Sequence, residues 1–242
     1  MQERILTITE NTSLTKDVYR MRLTGDVSAV AAPGQFVNIR LDGLFLRRPI
    51  SVYDRDGDSV TIIYKVVGKG TEQLCKMSPG ETLNVLTGLG NGYDTSLSGD
   101  KPLLLGGGVG VPPLYLLAKQ LIAQGKKVRA VLGFNTAEEV FGEAEFKALG
   151  CAVTVTTADG SSGVKGFVTD ALPESYSYFY TCGPEPMLRA VYRATKTAGQ
   201  FSFEERMGCG FGACMGCSCK TITGFKRICK EGPVLRKEEI LF

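Results

Sequence analysis

Histidine is absent from the 242 residues, and so is tryptophan. Without imidazole there is no Ser-His-Asp or Cys-His nucleophile, no His-ligated zinc and no imidazole acid–base catalysis. Charge of one sign is scarce as well. Twenty-eight Lys and Arg against 25 Asp and Glu leave a net charge of +3, far from the clustered basic stripe of a nucleic-acid binder. Long hydrophobic runs are missing too. The longest apolar stretch, residues 102–118, is broken by Gly106, Gly107, Gly108, Gly110, Pro112 and Pro113, so no segment of it spans a membrane. The opening MQERILTITE carries Glu3, Arg4 and Glu10 where a secretory leader would carry an apolar core. These absences predict a soluble, cytoplasmic protein.

What is present is glycine, 30 residues of it, and eight cysteines. Hydrophobic residues at 43% and charged ones at 22% make an ordinary globular balance, and the length exceeds a single domain of ~150 residues. Over the first 98 residues, apolar positions alternate: Tyr19, Met21, Leu23; then Val37, Ile39, Leu41; then Val60, Ile62, Tyr64, Val66. Turn residues punctuate these runs at Gly25-Asp26, Pro33-Gly34, Gly57-Asp58 and Pro79-Gly80, which predicts a small antiparallel β barrel with one helical turn near Thr71 to Met77.

The pattern changes at Asp100-Lys101-Pro102. Leu103-Leu104-Leu105 is apolar on both faces, as in a buried parallel strand, and Leu114, Leu117, Ala118, Leu121 and Ile122 follow at helical spacing. Further strands are predicted over Val128 to Phe134, Ala152 to Thr157 and Tyr178 to Thr181. Helices are predicted over Ala137 to Leu149 and Pro186 to Ala198. This alternation predicts a doubly wound α/β unit with a parallel sheet. Three units are therefore expected: the barrel over 1–98, the nucleotide-binding α/β domain over 99–199, and a small metal-dependent domain over 200–242, which has too little periodicity for a core of its own.

Five of the eight cysteines crowd into this last unit. A disulfide framework would spread its cysteines over a short secreted chain, so the cluster reads as metal binding. Cys209-x4-Cys214-x2-Cys217-x11-Cys229 has the plant-type [2Fe–2S] arrangement. Gly208, Gly210, Gly212 and Ala213 leave little bulk between the thiols, so the loop can fold tightly and aim N–H groups at sulfur. A four-thiolate zinc site is the competing interpretation. It would favour two separated knuckles of closely spaced pairs, whereas here the fourth cysteine is solitary. Cys219 fits as a buried neighbour, and Cys75 and Cys151 as core thiols.

Two glycine turns mark candidate nucleotide contacts. Gly106-Gly107-Gly108-Val109-Gly110 links a strand to a helix, where a phosphate meets helix N–H groups. It is not a clean G-x-G-x-x-G, because Pro113 stands where the third glycine would be. Cys182-Gly183-Pro184 sits at a second strand-to-helix junction, and a ligand across the strand ends would touch both turns. A tight structural turn is the plainer interpretation of each. No acidic residue ends the second strand, but Glu138 and Glu139 follow and no arginine lies between Gly133 and Glu145. That favours NAD over NADP. In the barrel, Arg47-Arg48-Pro49-Ile50-Ser51 offers a basic fork for a pyrophosphate and a hydroxyl for a ring edge. Ile63-Tyr64-Lys65 leads into Gly68-Lys69-Gly70-Thr71, a turn able to cradle a diphosphate.

In this order the three features resemble the ferredoxin-reductase family of flavoproteins. Within it, RRPIS, IYKVVGKGTEQL, LLLGGGVGVPPLY, GFVTDAL, YTCGPEPML, ERMGCGFGACMGC and KRICKEGPV resemble the electron-transfer subunits of two-subunit, NAD-linked dihydroorotate dehydrogenases, over essentially the whole chain. The resemblance implies FAD contacts from Arg48, Pro49, Ile50 and Ser51, from Ile63, Tyr64 and Lys65, and from Gly70 and Thr71. It also implies a nicotinamide cofactor, NAD(H), on the second unit, and a [2Fe–2S] cluster on Cys209, Cys214, Cys217 and Cys229. The implied partner is an FMN-containing catalytic subunit, two of each chain, that oxidises dihydroorotate in pyrimidine biosynthesis. No catalytic acid or base is expected in this chain. Two other readings share some of these features. One is a stand-alone NAD(P)H-dependent reductase for a ferredoxin, an oxygenase or a sulfite reductase; the other is a zinc-stabilised nucleotide-binding protein without redox activity.

Overall fold

The computed structural model describes residues 1–242. Strands β1 (Gln2–Ser13), β2 (Val18–Thr24), β3 (Phe36–Arg40), β4 (Arg48–Asp56), β5 (Ser59–Lys65) and β6 (Thr82–Leu89) close into an antiparallel barrel of order β1-β2-β5-β4-β3-β6. The alternating residues point inward together: Met21, Leu23, Val37, Ile39, Val60, Ile62 and Tyr64 share one buried core with Leu6 and Ile8 of β1. A six-residue helix, α1 (Lys69–Leu74), buries Leu74 in the same core. It begins and ends a little earlier than the sequence predicts.

The second sheet has seven strands: β7 (Leu103–Gly107), β8 (Arg129–Phe134), β9 (Ala152–Thr157), β10 (Val164–Lys165), β11 (Phe179–Cys182), β12 (Gly199–Ser202) and β15 (Val234–Arg236). Their order is β10-β9-β8-β7-β11-β12-β15, all parallel except β15 against β12. Helices α2 (Pro113–Ala123), α3 (Glu143–Ala148) and α4 (Glu185–Ala194) connect them. The helix predicted over Ala137 to Leu149 is shorter. Val140 turns extended and Gly142 takes φ +82, so the chain breaks there to seat Phe141 against Phe134, ring centroids 5.3 Å apart. The last predicted helix likewise stops at Ala194 rather than Ala198, where Thr195 becomes extended.

A hairpin of β13 (Ser218–Thr221) and β14 (Gly224–Arg227) carries the C-terminal lobe. The sheet runs through the boundary expected at residue 200, because both β12 and β15 belong to it. Three apolar cores result. One fills the barrel, one joins the barrel to α2 and the sheet, and the third gathers Phe36, Leu86 and Leu89 of the barrel, the far sheet face, and Cys217, Ile228 and Cys229.

Candidate functional site

Pairing of β4 with β5 sets the two barrel motifs side by side. Arg48 lies against Gly70, where a Cβ would fall 2.2 Å from its Nε. Only glycine leaves room for that approach. The two adjacent arginines differ sharply. Arg47 is committed, donating to the Asn38 and Asn84 carbonyls at 3.3 and 3.1 Å and pairing with Glu3 at 2.8 Å. Arg48 meets only the Leu46 and Arg47 carbonyls and has no carboxylate partner. A guanidinium left without a counter-charge beside a glycine turn suits a pyrophosphate. Thr71 accepts from Val67 and Gly68 N–H at 2.9 and 3.3 Å and donates back to the Gly68 carbonyl, so its hydroxyl holds the turn.

Tyr64 stands differently from the sequence expectation. Its ring belongs to the barrel core and its hydroxyl donates to Asn11 at 2.9 Å. Burial pushes the phenol well above its usual range. Only its main chain is left for a ligand. Strand alternation puts Ile63 on the opposite face, in the core shared with Val111 of the glycine-rich turn. Lys65 pairs with Asp17 at 3.1 Å.

The two glycine turns meet at the switch in strand order between β7 and β11. A Cβ on Gly110 would fall 2.3 Å from the Cys182 carbonyl oxygen, and one on Gly107 would fall 2.4 Å from Met187 Sδ. The backbones therefore touch at the carboxyl ends of the strands, where such folds bind nucleotides. Tyr93 donates to the Thr181 carbonyl at 3.0 Å and Thr181 to Leu105 at 2.9 Å, which pins this corner. Cys182 beside them has its thiol pushed up to about 12 by burial, partly relieved by Ser202. Of the two glutamates that follow β8, Glu139 folds back onto the end of that strand, accepting from the Asn135 N–H at 3.1 Å and its side-chain amide at 2.9 Å.

The cysteine loop is shaped by backbone that favours glycine, with Gly210 at φ +79 and Gly212 at φ +94. Ala213 and Cys214 N–H groups point at Cys209 Sγ at 3.2 and 3.5 Å, and Cys229 N–H at Cys217 Sγ at 3.4 Å. Burial opposes ionisation of Cys209, yet the N–H groups of Cys214, Phe211 and Ala213 together bring its thiol down to about 6. Burial and the neighbouring Cys217 thiol push Cys229 the other way. Backbone N–H groups are thus aimed at two of the four thiols, Cys209 and Cys217. Sulfurs that receive backbone N–H groups in a glycine-rich loop are what an iron–sulfur cluster requires, and the donors fit it. Arg227 braces the arrangement, donating to the Gly212 carbonyl at 2.7 Å while paired with Glu231. Cys219 sits on β13 opposite Lys226, its thiol raised by burial and by Glu205. Cys217 and Cys229 are buried, whereas Cys214, Phe211 and Met215 face outward.

Residues 204–241 match the family described as the iron–sulfur cluster binding domain of dihydroorotate dehydrogenase B, and residues 104–193 match the oxidoreductase NAD-binding domain. Among curated relatives, a protein of Geobacillus sp. (strain WCH70) is 43% identical over 100% of this chain and 99% of its own length. One of Fusobacterium nucleatum subsp. nucleatum is 45% identical over 97% and 96%. Both are named dihydroorotate dehydrogenase B (NAD(+)), electron transfer subunit. A solved structure reported for flavin-based electron bifurcation by NADH-dependent reduced ferredoxin-NADP oxidoreductase superposes with TM-score 0.89 at 32% identity, covering 98% of this chain and 90% of that one. The FAD/NAD-binding domain of a nitric oxide dioxygenase from Vibrio cholerae, at TM-score 0.70 and 22% identity over 79% of this chain and 91% of that one, shares the fold.

Proposed function

The chain belongs to the family of electron-transfer subunits of dihydroorotate dehydrogenase B, and from that membership we propose that it carries electrons between an FMN-containing catalytic subunit and NAD⁺ in pyrimidine biosynthesis. Its cofactors are FAD and a [2Fe–2S] cluster, with NAD(H) as diffusible substrate. The route runs from the partner's FMN to the cluster, then to FAD and NAD⁺. When bound, the flavin exchanges hydride with the nicotinamide and single electrons with the cluster, a conversion neither neighbour performs alone.

The chain's own residues bind and orient. Arg48 and the Gly70 turn receive the flavin diphosphate, Pro49, Ile50 and Ser51 line the ring, and Ile63, Tyr64 and Lys65 border it, Tyr64 through its main chain. Gly106, Gly107, Gly108, Gly110, Cys182, Gly183 and Pro184 frame the nicotinamide nucleotide. Cys209, Cys214, Cys217 and Cys229 are the proposed iron ligands, and the backbone N–H groups aimed at Cys209 and Cys217 Sγ are the observation that carries this reading. The lobe from Phe201 to Phe242 forms much of the partner interface in an assembly of two of each chain, and the exposed Phe211 and Met215 beside Cys214 support that placement. No helix is long and apolar enough to cross a membrane; the cytoplasm is the proposed location. The division into units over 1–98, 99–199 and 200–242 is retained as a functional one, with the last sharing the sheet of the second.

Anaerobically purified chain should contain FAD, iron and sulfide, and should support NADH-driven orotate reduction only when the catalytic subunit is added. Absence of flavin and iron would overturn the reading. The likeness to the ferredoxin-NADP oxidoreductase structure supports a second electron acceptor. Reduction of ferredoxin in place of orotate, under the same conditions, would favour that alternative.

A further inference from the structure

Asn38 lies where the barrel meets the cysteine loop. It is 1% exposed, sits directly across β3–β4 from Pro49 of the Arg-Pro-x-Ser motif, and donates from Nδ2 to the Cys209 carbonyl at 3.4 Å. That carbonyl can only accept, which fixes the orientation of the amide. The loop backbone rests on the same group, since a Cβ on Gly210 would fall 2.3 Å from Asn38 Nδ2. Pro49 has no N–H to offer across the strands, and the Asn38 carbonyl is instead satisfied by Arg47 at 3.3 Å. One atom remains. Asn38 Oδ1 is buried and has no hydrogen-bond partner. A buried acceptor without a donor is rare in a folded chain and calls for an explanation.

We propose that Asn38 is a positioning residue that ties the two redox centres together, holding the Cys209 end of the cluster loop through Nδ2 and accepting through Oδ1 from an N–H of the bound flavin. The inference rests on the cofactor reading above. Asn38 touches no reacting atom of the nicotinamide. Its role is to keep the first cysteine and the flavin motif in one register, so that electron transfer between them proceeds across a short, fixed contact. An ordinary buried asparagine would affect stability alone.

The test uses full-length, cofactor-loaded protein carrying Asn38→Leu, which removes both polar arms while keeping similar volume. Flavin and iron–sulfide counts on wild type come first; if wild type lacks either, the functional reading fails and not this inference alone. In the variant, flavin and iron–sulfide contents should match wild type, whereas single-turnover reduction of the cluster should slow by ~10-fold or more, the lower end of losses seen when a metal centre's outer hydrogen bonds are removed. In a redox titration followed by the cluster's paramagnetic signal, the oxidised-to-reduced ratio at fixed potential should change about tenfold, or about 59 mV for one electron. Asn38→Ala serves as the second variant should leucine displace a cofactor. Unaltered cluster reduction and potential would overturn the proposal. So would loss of a cofactor in both variants, because a positioning role leaves both centres in place.

Discussion

The six-stranded barrel encloses 17 buried apolar residues drawn almost wholly from its own strands and loops, whereas the C-terminal lobe shares its core with its neighbours. Its Phe201, Cys217, Ile228, Cys229, Leu235 and Ile240 enter a cluster of 16 residues whose other members come from the barrel and the α/β unit. The barrel is therefore held by apolar area removed from water, and the lobe by thiol ligation, docking and braces such as Arg227 on Gly212. A segment of this kind folds around its metal and opens when the metal leaves. The lesson concerns division of labour: the self-supporting region fixes a cofactor in place, and the dependent region presents a redox centre at the surface.

The sharpest way to break that contrast is Cys214→Ala. Iron and sulfide should be lost and electron delivery to the catalytic subunit abolished, while NADH-to-dye reduction through the flavin persists. Limited proteolysis of the same variant should cut within residues 204–232 and spare the barrel. Retention of stoichiometric iron would refute the ligand assignment. Next in size is Ile62→Ala, in the barrel core and fully buried, expected to cost ~2–5 kcal/mol as a large-to-small core substitution. Phe225→Ala, on the 72% exposed hairpin side chain, should stay within ~0.5 kcal/mol. Equal losses in denaturant unfolding would erase the distinction.

Arg48→Ala should remove a charge-assisted contact of ~1.5–3 kcal/mol and weaken FAD retention ~10- to 100-fold. Flavin content after gel filtration reads this directly, and unchanged content would show that the diphosphate lies elsewhere. The smallest effect separates two cysteines. In cluster-stripped protein whose loop still holds its N–H groups on Cys209, that thiol is lowered to about 6, while burial raises the Cys182 thiol to about 12. Thiolates react and thiols do not, so iodoacetamide near neutral pH should label Cys209 and leave Cys182 untouched. Because the folded-state value of Cys209 lies below the ordinary thiol range, its ionisation favours the folded chain at alkaline pH, and that contribution fades as pH falls through about 6. Equal labelling of both thiols at pH 7 would contradict the contrast.

Much of this architecture is legible along the chain, and for identifiable reasons. A period of two at Val60, Ile62 and Tyr64 declares an inward strand face whatever the neighbours are. The C-x4-C-x2-C spacing reflects loop geometry that is local to the cluster. Other features escaped the same reading. The break before α3 depends on a ring contact between Phe134 and Phe141. Membership of β15 in the sheet is a pairing between residues 200–202 and 234–236 that no local pattern encodes.

Residue order alone thus determined the barrel's strands, the glycine turns and the cysteine spacing, since each is set by chemistry within a few neighbours. Tertiary structure alone decided that the Tyr64 hydroxyl finds Asn11 while Arg48 stays without a counter-charge. It also decided that N–H groups meet Cys209 and Cys217 Sγ, and that Asn38 spans the 171 residues between itself and Cys209. Those outcomes follow from which surfaces meet when three cores close together, and contact between distant segments leaves no periodic trace in a sequence.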